Sequence, residues 1–475
     1  MSVHKILSAA IAAFEQNFTT ICQNRGIVLD NVDEKTFSGL TKVLMDALQT
    51  AGIAGLETFL KEHDVTTPAR TLNNETYRYK GTGSKEILTL FGTMTIKRAK
   101  YYNEKSGGEY YFPLDRALGL EKDDFATLDA REMILFASSA CTPSELEQLL
   151  KKCSLCRPSR TAVQKIINRD GVSMESLRAE LARAVHDKSN APEQTRALVI
   201  SLDGVNVLLR QEGKKKGRKN KRPAGTPEHT GTTSYHNAMV GSVSYYGIDD
   251  ENRHQRLNSI YTARMPQEKS IDFKSDFERM VCIAESKVAA LGTSAIPHIL
   301  LTDGHLMIKG FAAESPVLRP YEKLLDFYHA TEHLSKAAEA MYGEKTEFSK
   351  AYFNKWRERL KTDPDSPDGI FRSLKSFQSR NTLPAKRKSD LSTEITFFRK
   401  NRRLMRYYEF LNRGLPIGSG PIEAAAKTIV RQRMCRSGMS WSCEKGQYIL
   451  TVRAFVLSGL WDEVWRQFKI LKNVA

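Results

Sequence analysis

The segment Val199-Ile200-Ser201-Leu202-Asp203-Gly204-Val205 limits this chain most: an apolar β-type run, continuing to Leu209, with one carboxylate in its middle. A charge in a buried strand is costly unless it is paired or metal-bound. A second apolar run, Ile299-Leu300-Leu301-Thr302, ends on Asp303-Gly304. There an Asp that merely caps its own turn is a good account; it fits Asp203 less well, because that strand runs on past the charge. A third carboxylate, Glu423, lies in Gly418-Ser419-Gly420-Pro421-Ile422-Glu423-Ala424-Ala425-Ala426-Lys427. Ser-Gly-Pro starts a helix there, and three alanines allow it to pack closely on a sheet. Phosphodiester cleavage and strand transfer need an activated nucleophile and a stabilised leaving oxygen. Two divalent ions roughly 3.5–4 Å apart supply both, and Mg²⁺ prefers carboxylate oxygens. Carboxylates distant in sequence and close in space would form such a site; spacing alone leaves their convergence open.

The flanking patterns suggest where these residues sit. Residues 191–334 alternate between strand and helix. Runs at Ala197 to Leu209, Ala238 to Tyr246 and Leu257 to Ala263 read as strands, and Gln267 to Leu291 as an amphipathic helix. Leu324-Leu325-Asp326-Phe327-Tyr328 reads as a further strand entering a helix. Three strands, then strand-helix-strand-helix, predict a mixed sheet with helices on its faces. Residues 335–415 are helical and basic, an insertion in that core. Residues 416–475 return to helices that complete it.

Upstream, residues 1–75 show helical periodicity (Leu40, Val43, Leu44, Leu48). In residues 76–118, Ile87 to Phe91, Gly92 and Met94 to Arg98 predict a β-hairpin with a glycine turn. In 119–190, Thr142-Pro143-Ser144-Glu145 is a capping-box helix start. Pro158-Ser159-Arg160-Thr161 opens another helix. This pattern suits a DNA-reading helix-turn-helix, and equally any small helical bundle.

The formal net charge of +17 and pI near 9.4 point to a polyanionic partner, nucleic acid or an anionic membrane surface. No run of about eighteen apolar residues predicts a membrane span. The stretch Lys5 to Phe14 reads as an amphipathic helix rather than an export signal. Seven scattered cysteines suit a reducing cytoplasm.

The phrase Ser201-Leu202-Asp203-Gly204-Val205, the Asp303-Gly304 strand end and the block PIGSGPIEAAAKTIVRQRMCRSGMSW from Pro416 to Trp441 resemble the ISKra-type bacterial insertion-sequence transposases, relatives of the Mutator superfamily of DDE transposases. Leu325-Asp326-Phe327-Tyr328-His329-Ala330 is similar to the Asp-x-x-His signature such enzymes carry between the second Asp and the Glu. The tail Leu457-Ser458-Gly459-Leu460-Trp461-Asp462 is similar to the family's end. The resemblance covers roughly residues 85 to 470. It implies an α/β RNase H-like catalytic core with a helical insertion, and Asp203, Asp303 and Glu423 as catalytic residues holding two Mg²⁺ or Mn²⁺ ions. Asp326 and His329 fall beside that site as accessory residues. The family's hairpin often carries a cysteine-pair zinc ribbon; here Tyr102-Asn103-Glu104-Lys105-Ser106 has no cysteine, against a structural zinc.

Other motifs compete. Cys153-Ser154-Leu155-Cys156 lacks the second pair that a zinc site needs and reads as two partly buried cysteines on one helical segment. His329-Ala330-Thr331-Glu332-His333 matches an inverted zinc-peptidase motif, but that reading leaves the three carboxylate blocks and the charge unexplained. Lys214, Lys215, Lys216, Arg218, Lys219, Lys221 and Arg222 form a basic loop after the first aspartate strand. With Lys427, Arg431, Arg433 and Arg436 they are candidate DNA contacts, against the plainer reading of solvated charge. Trp441 reads as a core residue ahead of a base-stacking one. The expected protein is therefore a transposase acting on double-stranded DNA, the element's terminal repeats and a target. It would be cytoplasmic and nucleoid-associated, and a homodimer or larger assembly because two ends must be joined. The alternative is a domesticated DNA-binding protein that does not cut.

Overall fold

The computed structural model describes residues 3–474 apart from 28–32, 73, 104–109, 121–122, 189, 211–232, 252, 293–295 and 419. The side chains of 186–188, 233, 269, 421–423 and 473–474 also lie outside the described set. Two compact units form, Met1–Gly171 with Ile470–Ala475, and Val172–Lys469. No described helix is long and apolar enough to cross a membrane.

The first unit opens with helices Val3–Arg25 and Glu34–His63. Ion pairs join the start of the first helix to the end of the second (Lys5–Glu62, 3.0 Å) and the end of the first to the first half of the second (Arg25–Asp46, 2.8 Å), so they form an antiparallel hairpin. A four-stranded antiparallel sheet follows, in order β1 (Ala69–Leu72), β2 (Glu75–Thr89), β3 (Gly92–Tyr102) and β4 (Tyr110–Tyr111). The expected hairpin is present, but its turn is Leu90-Phe91. Gly92 closes the last pair, opposite Thr89, at a φ of +112° that only glycine adopts freely. Helices Leu128–Ser138, Pro143–Cys153 and Arg160–Ser176 come next. The capping box forms: Glu145 N–H donates to Thr142 Oγ1 (3.2 Å) and Thr142 N–H to Glu145 Oε2 (2.7 Å). The cysteine pair does not share a helical segment as expected. Cys153 ends its helix exposed, while Cys156 lies beyond it, buried, its thiol pushed up to about 11 by burial.

The second unit is built on a mixed sheet in order β7-β6-β5-β8-β9, flanked by helices. Strands β5 (Ala197–Arg210), β6 (Thr233–Ile248) and β7 (His254–Arg264) are antiparallel neighbours. Strands β8 (His298–Thr302) and β9 (Glu322–Leu325) run parallel to β5. The strand expected through Tyr328 ends at Leu325, because Asp326 caps the helix Phe327–Tyr342.

Alternation along β5 divides the core. Leu198, Ile200 and Leu202 pack with Phe273, Phe277 and Val281 of helix Ile271–Ala289 on one face. Ala197 and Val199 face the other way, into a cluster shared with the helices of the insertion, including Leu334, Ala337, Trp356, Leu374, Phe398 and Phe410. Helices Phe327–Tyr342, Glu347–Thr362, Ser366–Arg380, Ala385–Asn401 and Tyr407–Asn412 make up this block. It is therefore part of the sheet's own core rather than an appendage. The chain then returns through Gly420–Ala425 to Cys443–Leu457 and Trp461–Val474.

Phe277 is wholly buried, and a Cβ added at Gly241 would fall 2.4 Å from its ring. Glycine there lets the helix seat directly on β6. Phe277→Ala is expected to cost about 3–5 kcal/mol and Gly241→Ala about 1–3 kcal/mol, both measured by chemical denaturation.

Candidate active site

The parallel register builds the site. Ser201 pairs with Leu301, and Thr302 with Leu325. Continued past the last pairs, the same register sets Asp203, Asp303 and Asp326 in one row, just beyond the carboxyl ends of β8 and β9 and midway along the longer β5. Asp203 also shares the alternation of Ala197 and Val199, so it faces the insertion side. Ligand sites in α/β sheets characteristically lie at such strand ends. Here they open on a cleft of about 910 Å³ whose lining includes Asp203, Asp303, Asp326, His329 and Glu332 together with Lys427 and Arg431.

Each carboxylate is held differently. Asp203 is half-buried, and its Oδ1 accepts from Gly204 N–H at 2.7 Å. Burial, then the charge of Asp303, raises its pKa; the Gly204 hydrogen bond and Arg431 oppose them. Asp303 Oδ1 accepts from His305 N–H (2.7 Å), and Gly304 turns the chain at φ +83°. The turn-capping role and a place in the cleft are thus compatible, since one oxygen serves the turn. Asp326 is 1% exposed; its Oδ1 accepts from His329 N–H (2.8 Å) and caps the helix, while its own N–H donates to Thr302 O (2.8 Å).

Asp326, His329 and Glu332 recur at intervals of three, on one helical face. Burial and His333 hold the His329 imidazole below its ordinary range, with Asp303 among the charges that oppose them. His333 does not line the cleft. Its Nδ1 lies 2.6 Å from Glu394 Oε2, and its ring stacks on Phe397 at 3.5 Å between centroids. The peptidase motif is therefore split between the cleft and the insertion's packing.

Glu423 lies in the helix Gly420–Ala425, but its side chain is outside the described residues, as are Lys214 to Arg222 of the basic loop. The helix continues as a π turn, Ala426–Arg431, which carries Lys427 and Arg431 into the cleft. Such turns are uncommon and often mark functional sites. Buried Arg453 donates to Ile429 O (2.8 Å) and to Thr428 O, satisfying two carbonyls of that turn. Arg433 departs from the expected DNA-facing set: it is 1% exposed, with its guanidinium 5.2 Å from the Trp441 ring centroid. An arginine at that depth cannot meet a DNA backbone without leaving the core. Arg436 is exposed and donates to Gln432 O at 2.9 Å. Trp441 is half-buried and bridges the end of β5, its N–H donating to Leu208 O (3.0 Å) and its carbonyl accepting from Arg210 N–H (2.8 Å).

Two residues around the cleft are not among those that the sequence singles out for it. Glu332 stands out in the sequence only as part of the peptidase motif; its interval of three from His329 is the available signal. Lys309, whose Nζ donates to Asn401 Oδ1, lies near enough to Asp303 to feel its charge. Its signal is a lone cation in Leu306-Met307-Ile308-Lys309-Gly310-Phe311.

Among the described residues, no group of three or more His, Cys, Asp or Glu side chains is arranged to hold a metal ion. What the aspartates provide is a pair of hard oxygen donors whose charges oppose each other, the donor chemistry that suits Mg²⁺ or Mn²⁺.

Residues 24–222 match the model of an uncharacterised protein family, UPF0236. Comparison with curated proteins gives no match. Among solved structures the chain is similar to the Drosophila P element transposase strand transfer complex, with 11% identity and a TM-score of 0.26, over 73% of this chain and 82% of that one. A likeness at this level carries no argument about fold or function.

The raised pKa of Asp203 has a signed consequence. Its ionised form is disfavoured in the folded chain, so its cost is felt above the folded pKa and fades as pH falls through it. Without divalent ions, Asp203→Asn is expected to raise the Tm at neutral pH, with the gain vanishing below the ordinary carboxylate range of about 3.9. Scanning calorimetry across pH checks this; a neutral-pH Tm at or below wild type would contradict it.

Proposed function

We propose that this chain is a DDE-type DNA transposase that cuts DNA at the ends of an insertion element and joins the freed 3′-hydroxyl to a target. The observation that carries this reading is the cleft itself. Two half-buried aspartates on adjacent parallel strands line one cleft with two cations, and those cations follow the short helix that carries the third acid of the expected trio. Three antiparallel strands followed by two parallel ones, with the first strand central, is also the order of an RNase H-like core, which supports the same assignment.

In this reading Asp203, Asp303 and Glu423 would hold two Mg²⁺ or Mn²⁺ ions, which when bound supply an activated nucleophile and neutralise the leaving oxygen. The chain's own residues do the rest. Lys427 and Arg431 bind the scissile phosphate across from the carboxylates, and Arg431 also restrains the proton affinity of Asp203. Asp326 fixes the start of its helix and so orients His329 and Glu332 along the cleft wall. The basic loop Lys214 to Arg222 and the exposed cations of the insertion track the DNA backbone. The helices from Leu128 to Ser176 engage duplex at the element's terminal repeats. A dimer or larger assembly brings two ends together, acting on DNA in the cytoplasm.

Labelled DNA carrying the flanking ends of the gene's own element tests the reading. The wild type is expected to cut at those ends with Mg²⁺ or Mn²⁺. Asp203→Asn, Asp303→Asn and Glu423→Gln are each expected to lower the rate by about 10³-fold or more while DNA binding persists. Binding without metal-dependent cutting by the wild type would replace the transposase with a DNA-binding protein that has lost its chemistry. Full cutting by Asp203→Asn would dismiss the mechanism.

A further inference from the structure

The four-stranded sheet of the first unit carries a surface that the cleft does not explain. Cross-strand register sets Arg78 of β2, Tyr102 of β3 and Tyr110 of β4 in one row. Residues directly opposite each other share a face. Two residues along β3 from Tyr102, on the same face, stands Lys100, next to a bulge in β2 between Tyr79 and Thr82 that includes Lys80. Gly81 in that bulge has a φ of +93°, and a Cβ there would reach only the Lys100 side chain, at 4.0 Å. Tyr102 and Tyr110 lie 5.5 Å apart between ring centroids, and Lys100 Nζ is 5.0 Å from the Tyr110 centroid. Tyr110 is 52% exposed, and Arg78 and Lys80 are exposed.

Two other cations of the sheet are tied to a single acid. Arg98 is buried, bound to Asp115 and covered by Phe112, and Lys85 shares the same Asp115. Glu75 accepts from Asn103. Among the described residues, Arg78, Lys80 and Lys100 have no ion pair. Three cations with no ion pair among the described residues, interleaved with the half-buried Tyr102 and exposed Tyr110 rings, make a surface that pairs phosphate contacts with faces for stacking. A duplex buries the faces of its bases and would leave those rings idle; an unpaired strand offers both phosphates and free faces.

We infer that Arg78, Lys80, Lys100, Tyr102 and Tyr110 form a binding surface for single-stranded DNA, separate from the cleft. The choice of DNA over RNA rests on the function proposed above; the preference for an unpaired strand rests on this face alone. The surface would hold unpaired DNA at or beside a cut end, with little preference for sequence.

Full-length protein titrated with fluorescent oligo-dT, a duplex of equal length and oligo-U tests this. Wild type should bind oligo-dT more tightly than the duplex. Tyr102→Leu with Tyr110→Leu should weaken oligo-dT binding by about tenfold or more per ring, and the two Tyr→Phe changes should restore it. Arg78→Ala, Lys80→Ala and Lys100→Ala together should flatten the salt dependence by about 2, at about 0.7 per lost phosphate contact. Unchanged melting of each variant shows that the sheet is intact. The inference is overturned if both sets bind oligo-dT like the wild type, if only duplex binding falls, or if oligo-U is preferred. Asp203→Asn separates the two hypotheses: it should lose cutting and keep oligo-dT binding. Wild type that binds oligo-dT through this face yet never cuts would sink the proposed function and leave this surface standing.

Discussion

The parallel pairing of β5, β8 and β9 is the constraint on which the rest of the second unit depends. Its register aligns three aspartates whose charges repel. The sheet tolerates this because each acid is handled separately: Gly204 and Arg431 act on Asp203, a glycine turn takes one oxygen of Asp303, and Asp326 is consumed in capping a helix. A slip of one residue would turn an aspartate into the apolar layer of Phe273 and Phe277. The hydrophobic alternation of β5 therefore secures the position of its one acidic residue.

The cations of the cleft depend on a less regular device. The π turn at Ala426–Arg431 re-aims Lys427 and Arg431, and Arg453 stabilises it from beneath through two carbonyls. Burial and the neighbouring Arg433 and Arg436 lower the Arg453 pKa to about 10. Two buried guanidiniums lie behind the cleft wall, then, and only the residues ahead of them meet solvent.

Much of this is legible in the sequence, for identifiable reasons. Strands β5 and β8 are readable because each is a run of apolar, largely β-branched or leucine side chains marked by a single Asp, within the run in β5 and just past its end in β8. The Thr142 capping box is readable because its two hydrogen bonds are local. Less local features stay hidden. Arg433 looks like its neighbours Arg431 and Arg436, because charge alone does not reveal which side of an irregular helix faces the core. The π turn leaves no periodic signal. Lys309 is only six residues past Asp303, but the Asn401 oxygen that its Nζ donates to lies far along the chain. The insertion's extent is readable from its helices, but its union with the sheet in one core depends on contacts that no local pattern encodes.

The order of elements along the chain also matters in time. Synthesis runs from the amino end, so β5, β8 and β9 emerge with their aspartates well before the helix of Glu423, and Arg453 later still. The insertion is made between the two events. A nascent chain at that stage carries the acids of the cleft without Lys427 and Arg431, and acids alone repel a phosphate backbone. The long detour between β9 and the Glu423 helix thus acts as a delay: Lys427 and Arg431 join the cleft only after the insertion has been made.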